Sequence, residues 1–127
     1  MRRHLIPLLG AVLVLAACAN PEREKLDKGM AHAKRLFGEV SRNPMSTLAF
    51  GSTLEGGGNL SGYVANNSPE NADLPRFTDD RPSGPWSIAL RFHGEDRVII
   101  EGYGEKTNKP IVADTVSVRL KRRAPTP

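Results

Sequence analysis

The chain has 127 residues, a formal net charge of +4 at pH 7 and 39% hydrophobic residues. This length suits one domain, and a charged fraction of 25% excludes a polytopic membrane protein. A single cysteine excludes an intramolecular disulfide framework and a metal site built of cysteines alone.

The first residues are typical of an export signal. Arg2 and Arg3 precede an apolar run over residues 5–17. As a helix this run would extend about 20 Å, too short for a hydrocarbon core about 30 Å thick. It therefore predicts the hydrophobic region of a cleaved signal peptide, residues 1–17, rather than a transmembrane helix.

The apolar run ends in Leu15-Ala16-Ala17-Cys18. This motif resembles the lipobox of bacterial lipoproteins, in which the signal peptide is cut before a cysteine that carries the lipid. The resemblance implies cleavage between Ala17 and Cys18, acylation (palmitate is typical) and a membrane anchor on Cys18. An ordinary secretory signal with an incidental cysteine is the alternative.

The same resemblance predicts the membrane in which the protein is anchored. In lipoproteins an Asp directly after the cysteine favours retention in the inner membrane, and this chain has Ala19 there. We therefore expect an outer-membrane protein that faces the periplasm, with surface exposure left open. Export argues against DNA, ATP and cytosolic cofactors as partners.

A helix is predicted at the start of the mature chain, within an anchor region of residues 18–43. Asn20 can cap it, Pro21 suits its first turn and Pro44 ends it. Apolar residues recur at helical spacing, at Leu26, Met30, Ala33, Phe37 and Val40. We interpret this stripe as the face that packs on the domain; a partner-binding helix is the alternative.

Residues 44–120 predict a β-domain. The period of the apolar residues changes from helical to alternating after Pro44. Five strands are predicted over residues 47–54, 60–66, 86–93, 97–103 and 111–120. The expected fold class is mainly β, one helix followed by about five antiparallel strands in an immunoglobulin-like sandwich or an OB-like barrel. Residues 94–104 and 113–118 resemble the last two strands of an OB fold.

The long loop, residues 67–85, is the main irregularity, and we interpret it as passive cover or a disordered segment, with a binding loop as the alternative. Its Asp79-Asp80 pair could offer oxygens to calcium but lacks the spacing of a calcium loop, which favours a solvated turn. His32 and His93 are interpreted as surface histidines, because neither has a second ligand at metal spacing. The sequence predicts no catalytic residues, no metal and no cofactor.

Two groups of residues are candidates for binding. Residues 121–127 form a basic, proline-containing tail, and a partner or anionic membrane could contact Arg119, Lys121, Arg122 and Arg123; a solubilising tail is the alternative. The aromatic residues Tyr63, Trp86 and Tyr103 form a candidate ligand face, although the alternation around Trp86 favours a core position.

We therefore expect a non-enzymatic, lipid-anchored interaction or assembly module of the bacterial envelope with an unidentified protein partner. Strand addition at an open sheet edge is one mode of binding. The alternative is a small β-barrel lipoprotein that binds a glycan or a lipid.

Overall fold

A computed structural model describes residues 20–94 and 96–118. The signal segment, Cys18 and the basic residues from Arg119 onward lie outside the described residues. The elements in chain order are α1 (Pro21–Arg42), α2 (Pro44–Glu55), α3 (Leu60–Asn66), β1 (Arg76–Asp79), β2 (Ser87–His93), β3 (Arg97–Tyr103) and β4 (Val112–Ser117).

This architecture corrects the predicted fold class. The described chain forms three helices and one four-stranded mixed sheet, an α+β arrangement in two layers, instead of a mainly β domain with five antiparallel strands. The sheet order is β1-β2-β3-β4, with β1 parallel to β2 and the other pairs antiparallel. Since β1 and β4 do not pair with each other, the sheet is open, and neither the sandwich nor the barrel forms.

The first helix is where the sequence predicted it. The Asn20 side chain accepts a hydrogen bond from the Glu22 N–H at 3.0 Å, and Pro21 begins the helix. The apolar stripe is buried as expected and packs on the sheet, and Gly29 lies close to the start of β2 and to Pro75. A Cβ built on Gly29 would lie 2.6 Å from Ile88 Cδ1 and from the Pro75 ring.

The predicted strands over residues 47–54 and 60–66 are wrong, because both segments are helical. Asn43 accepts from the Met45 N–H at 3.0 Å and Pro44 takes the first position of α2, so helix start signals outweigh the alternation. Asn59 caps α3 through the Gly62 N–H at 2.7 Å. Leu60, Tyr63 and Val64 then lie on one helix face and are buried.

The strands predicted over residues 86–93 and 97–103 are confirmed as β2 and β3, and the last strand is shorter than predicted. One side of the sheet, the helix face, carries Phe77, Ile88, Leu90, Val98 and Ile100, which join the hydrophobic core beneath the helices. The other side, the open face, carries polar residues such as Arg91, Glu101 and Thr115.

The loop predicted over residues 67–85 contains β1 and is therefore part of the sheet. Residues 80–86 return the chain over the open face to β2, a short connection for parallel strands, which usually need a dozen residues or more. The sharp reversal places Asp80 and Trp86, at its two ends, in the left-handed region with φ of 61° and 54°. The connection leaves Ser87 and Ala89 with 0% exposure.

Among the described residues, none of the helices combines the length and the apolar character that crossing a bilayer requires.

Candidate functional site

The sheet has a gap where β1 stops before its neighbour. Asp79 is the last residue of β1 and pairs with Leu90. The Asp80 N–H still donates to the Leu90 carbonyl at 2.9 Å, and the chain then turns away over the open face. Residues 91–93 of β2 therefore continue beyond β1 with no paired strand on that side among the described residues.

The backbone of Phe92 points into this gap. Along a strand, consecutive residues direct their N–H and C=O groups to opposite neighbours. The Asp80 bond shows that Leu90 faces β1, so Phe92, two residues later, faces the same side. The far side of the sheet agrees: Val118 donates to the Asp96 carbonyl at 2.7 Å, which makes Arg97 and Ser117 a non-hydrogen-bonded pair. By alternation Val98, which lies opposite Phe92, faces β4.

Helices close the other side of the gap and form a slot. The slot has a volume of about 240 Å³, with the end of α2, the start of α3 and the end of β2 around it. Its lining residues are Leu54, Gly58, Asn59, Leu60, Asp79, Asp80, Leu90, Arg91 and Phe92. Phe92 is 39% exposed, and its ring lies 6.2 Å from the Phe50 ring, centroid to centroid. A partly exposed aromatic ring beside unpaired backbone groups suits an extended peptide segment.

The polar side chains of the slot are mostly held by the protein itself. Asp79 accepts from the backbone N–H of Ser61 at 3.1 Å and from its hydroxyl at 2.6 Å. Arg91 donates from Nε to Glu101 at 3.0 Å. Asp80 is exposed at the rim. With Asp79, it gives the rim a negative charge.

At the other open edge of the sheet, β4, two outward backbone groups are already hydrogen-bonded; we call this capping the β4 guard. The alternation that places Val98 toward β4 directs the backbone of Ala113, Thr115 and Ser117 outward. The Asp114 carboxylate accepts the outward N–H of Thr115 at 2.9 Å, and the Ser41 hydroxyl donates to the outward carbonyl of Ser117. Such capping blocks edge-to-edge pairing.

The guard on β4 is itself held by α1. Lys34 forms an ion pair with Asp114. The hydrogen bond from Lys34 is the largest cause that lowers the pKa of Asp114, and the Thr115 N–H lowers it further. The carboxylate is therefore in its accepting, ionised form at neutral pH.

His32 is buried, at 7% exposure, which corrects its interpretation as a surface histidine; His93 is exposed. Its Nε2 lies 3.1 Å from the Ser68 hydroxyl and its Nδ1 lies 3.1 Å from Arg35 Nη2. A guanidinium only donates, so Nδ1 accepts and Nε2 carries the proton. Ser68 in turn donates to the Val64 carbonyl at 2.6 Å.

This arrangement is the reverse of a nucleophile and its base. A base that activates serine needs a free nitrogen toward the hydroxyl, whereas here the imidazole donates to it. Burial, then Arg35, lowers the pKa of His32, which favours this neutral form. The contact therefore serves to join α1 to the end of α3.

The three residues of the predicted aromatic ligand face are buried or packed against the core. Tyr63 is buried between helices, 4.9 Å from Phe50 and 6.3 Å from Phe37, centroid to centroid. Trp86 packs against the core at the start of β2, and Tyr103 is 8% exposed at the end of β3. Burial raises the pKa of both tyrosines.

Sequence reasoning singled out Asp79-Asp80 but missed Phe92 as a site residue. Phe92 reads as an ordinary inward position of an alternating strand. The backbone of Phe92 is available because β1 ends beside Leu90, and where β1 ends depends on strand pairing rather than on the local sequence. The solvated turn predicted at Asp79-Asp80 is wrong for Asp79, which ends β1 half-buried and bonded to Ser61, whereas Asp80 is exposed. Among the described residues no three His, Cys, Asp or Glu side chains come together in a cluster able to hold a metal ion.

The comparisons with known proteins gave no match to a family model, to a curated protein or to a solved structure.

Proposed function

We propose that this protein is a non-enzymatic, lipid-anchored interaction module of the bacterial cell envelope that receives an extended partner segment in the slot beside β2. The lipid on Cys18 would hold it at the outer membrane, facing the periplasm. The partner is a protein of the envelope that offers a short stretch of β conformation.

The observation that carries this proposal is the backbone of Phe92, which has no paired strand on the β1 side among the described residues. A sheet that ends in free N–H and C=O groups next to an apolar wall favours main-chain pairing, with side-chain pockets adding specificity. The β4 edge is the alternative place for such pairing, but Asp114 and Ser41 occupy two of its outward backbone groups. The exposed end of β2 in the slot is therefore the favoured place for a partner strand to pair.

The position of the anchor supports a role close to the membrane. Helix α1 begins at Pro21, directly after its cap Asn20, so two residues separate Cys18 from the helix. A lipid on Cys18 would hold the domain within a few ångströms of the headgroups. Several acyl chains at about 0.8 kcal/mol per buried CH₂ give lasting attachment, which one chain does not.

The test uses the full chain in cells, with a photo-crosslinking phenylalanine analogue at position 92. We expect one specific crosslinked envelope protein. The matched control carries the analogue at position 111, since Ile111 is also a partly exposed apolar residue, 45% against 39%, outside the slot lining. It should give no crosslink to that protein. Equal crosslinking at both positions, or none at position 92, would show that the slot is not the interaction site.

The anchor is tested separately by Cys18→Ser. We expect the unaltered chain to be processed, acylated and recovered with the outer membrane, and the variant to keep its signal peptide and lack lipid. Intact mass and membrane fractionation measure both. An unlipidated, soluble natural protein would refute the lipoprotein part of the proposal and leave the slot to be judged by its crosslinks.

A further inference from the structure

We propose that the anchored domain stands upright on the membrane, with the loop between β3 and β4, residues 105–111, on the lipid surface and the slot at the opposite end. The inference deepens the proposed function and rests on its anchor at Cys18, because it names the surface that the domain turns toward the bilayer. Three features carry it: the direction of α1 along the sheet, the exposure of Ile111 and the short tether to the lipid.

Contacts at its two ends fix the direction of α1 on the sheet. Near its start, Leu26 packs on Gly102, where an added Cβ would lie 3.2 Å from Leu26 Cδ2. Near its end, the Ser41 hydroxyl donates to the carbonyl of Ser117, which pairs with Arg97. Because β3 runs from Arg97 toward Gly102, α1 runs against it. The start of α1 therefore lies at the end of the sheet where β3 leaves for the loop.

The loop between β3 and β4 is an exposed surface at that end. All of residues 105–111 are exposed, and Ile111 is 45% exposed although it is apolar. The Ile111 N–H donates to the Gly102 carbonyl at 2.9 Å, so Ile111 lies at the level on which the start of α1 packs. An exposed apolar residue in one loop with Lys106 and Lys109 suits the headgroup boundary, where lysine stems cover apolar surface and the ammonium groups stay in water.

The tether brings this loop to the bilayer. One residue, Ala19, separates Cys18 from the helix cap Asn20, so the cap lies within about 7 Å of the lipidated residue. Leu26, which packs beside the loop, follows the cap by about 9 Å along the helix. A surface so close to a tether meets the membrane at high effective concentration. Ile111 is therefore the exposed apolar residue that the anchor favours for lipid contact.

A second exposed apolar patch lies far from the anchor. Met45 and Leu48 in α2 are 72% and 67% exposed. The Thr47 hydroxyl donates to the Val40 carbonyl, so this patch lies beside the end of α1, about 30 Å along the helix from Asn20. Lipid contact through this patch would lay the domain flat on the membrane, and it is the pose that the test must distinguish.

Charge does not select between these poses at the anchored end. Two ion pairs there, Arg23 with Asp27 and Lys25 with Asp73, are internal. The other charged residues described around this end are Glu22, Glu24, Glu70 and Glu105 against Lys28, Arg76, Lys106 and Lys109. Since the acids and bases balance, the contact at Ile111 should form on uncharged lipid and should resist salt.

In the upright pose the slot opens away from the bilayer. Phe92 lies four strand residues beyond Ile88, which pairs with Gly102 at the level of Leu26. At about 3.3 Å per strand residue and 1.5 Å per helix residue, the slot stands about 20 Å above the cap of α1. The partner segment must therefore come from a water-exposed part of an envelope protein, clear of the headgroups.

The test uses the full lipidated chain in phosphatidylcholine vesicles, with a photo-crosslinking amino acid at position 111, 48 or 92. We expect lipid adducts from position 111 in about fivefold higher yield than from either other position, because only this residue reaches the headgroup boundary. Exposure alone gives the opposite order for position 48, since Leu48 is 67% and Ile111 45% exposed. Added phosphatidylglycerol or high salt should leave the yield from position 111 unchanged.

The natural chain carries its own reporter, since Trp86 is the one tryptophan of the sequence. A Cβ built on Gly104 would lie 3.2 Å from Ile111 Cδ1 and 3.8 Å from Trp86 Cη2, so the indole lies near the loop. We expect phosphatidylcholine brominated close to the headgroups to lower the fluorescence of Trp86. The matched variant, Trp86→Phe with Phe92→Trp, reports from the slot and should keep its fluorescence.

The outcomes separate this inference from the proposed function. Lipid adducts from position 48 that equal those from position 111 show that the domain lies flat, and no adduct from position 111 in vesicle-bound protein shows that the loop stands clear of the bilayer. Either result overturns the inference while the anchor and the partner crosslink from position 92 persist. A missing partner crosslink refutes the slot while position 111 still labels lipid. A natural chain without lipid on Cys18 overturns both the anchor and this pose.

Discussion

The Nε2 of His32 lies 3.1 Å from the hydroxyl oxygen of Ser68. This contact joins α1 to the segment just after the end of α3. The proton on Nε2 points to Ser68 because Arg35 occupies Nδ1. A histidine in contact with a serine hydroxyl could be a base and its nucleophile, yet the direction of this hydrogen bond makes the pair a structural link. The contact with Arg35 requires a neutral imidazole, because a protonated Nδ1 cannot accept from a guanidinium.

We expect the stability of the protein to fall as the pH drops below 6.5. The pKa of His32 is lowered from 6.5 in the folded state, first by burial and then by Arg35, so between the folded value and 6.5 the unfolded chain binds more protons. The contribution of neutral His32 is therefore present above pH 6.5 and is lost as the pH falls through this window. Urea unfolding at a series of pH values measures it.

His32→Gln should remove this pH dependence, because a glutamine amide can donate to Ser68 and accept from Arg35 without titrating. His93→Gln is the matched control, since His93 is exposed at the end of β2. A natural chain whose free energy of unfolding is flat between pH 5 and 7 would contradict the prediction.

The close approach of α1 to the sheet predicts opposite effects for two glycines of one helix. Gly29→Ala should destabilise the fold by about 1–3 kcal/mol, because its Cβ would lie 2.6 Å from both Ile88 and Pro75. Gly38→Ala meets Arg42 at 3.6 Å, an ordinary contact, and should stabilise by about 0.5–1 kcal/mol through helix propensity. Chemical denaturation compares them, and equal effects would show that α1 packs differently.

Removal of the guard on β4 should cause self-association. Asp114→Ala frees the outward N–H of Thr115 and the Lys34 ammonium, which leaves the edge open to pairing with another copy. Asp73→Ala is the matched control, because it removes the same charge from an ion pair, with Lys25, away from the edge. Sedimentation should show dimers or larger species for the first variant alone.

Acid should release the Asp114 cap on β4 by protonating its carboxylate. The pKa of Asp114 is lowered from 3.8 in the folded protein, so its stabilising contribution is present above 3.8 and is lost as the pH falls through the lower, folded value. Self-association of the natural chain that begins well above pH 4 would point to a different guard.

The sequence predicted α1, β2 and β3 because each is specified by its own residues. Asn20 and Pro21 mark a helix start, and the alternation from Trp86 to His93 has no interruption. The strand predictions over residues 47–54 and 60–66 were wrong because short apolar segments fit both periods. Phe50 and Leu54 are four apart, so they satisfy a helix as well as a strand, and the caps at Asn43 and Asn59 decided for the helix.

By itself, the sequence determined where the first helix starts, which residues of α1 are buried and where the central hairpin lies, since caps and periodicity are local. Only the tertiary structure decided that β1 pairs in parallel with β2 and ends beside Leu90, since a strand of four residues carries little pattern of its own. Pairing between strands depends on contacts distant in sequence. The slot at Phe92 is a consequence of that pairing, so it appears only when the sheet is assembled.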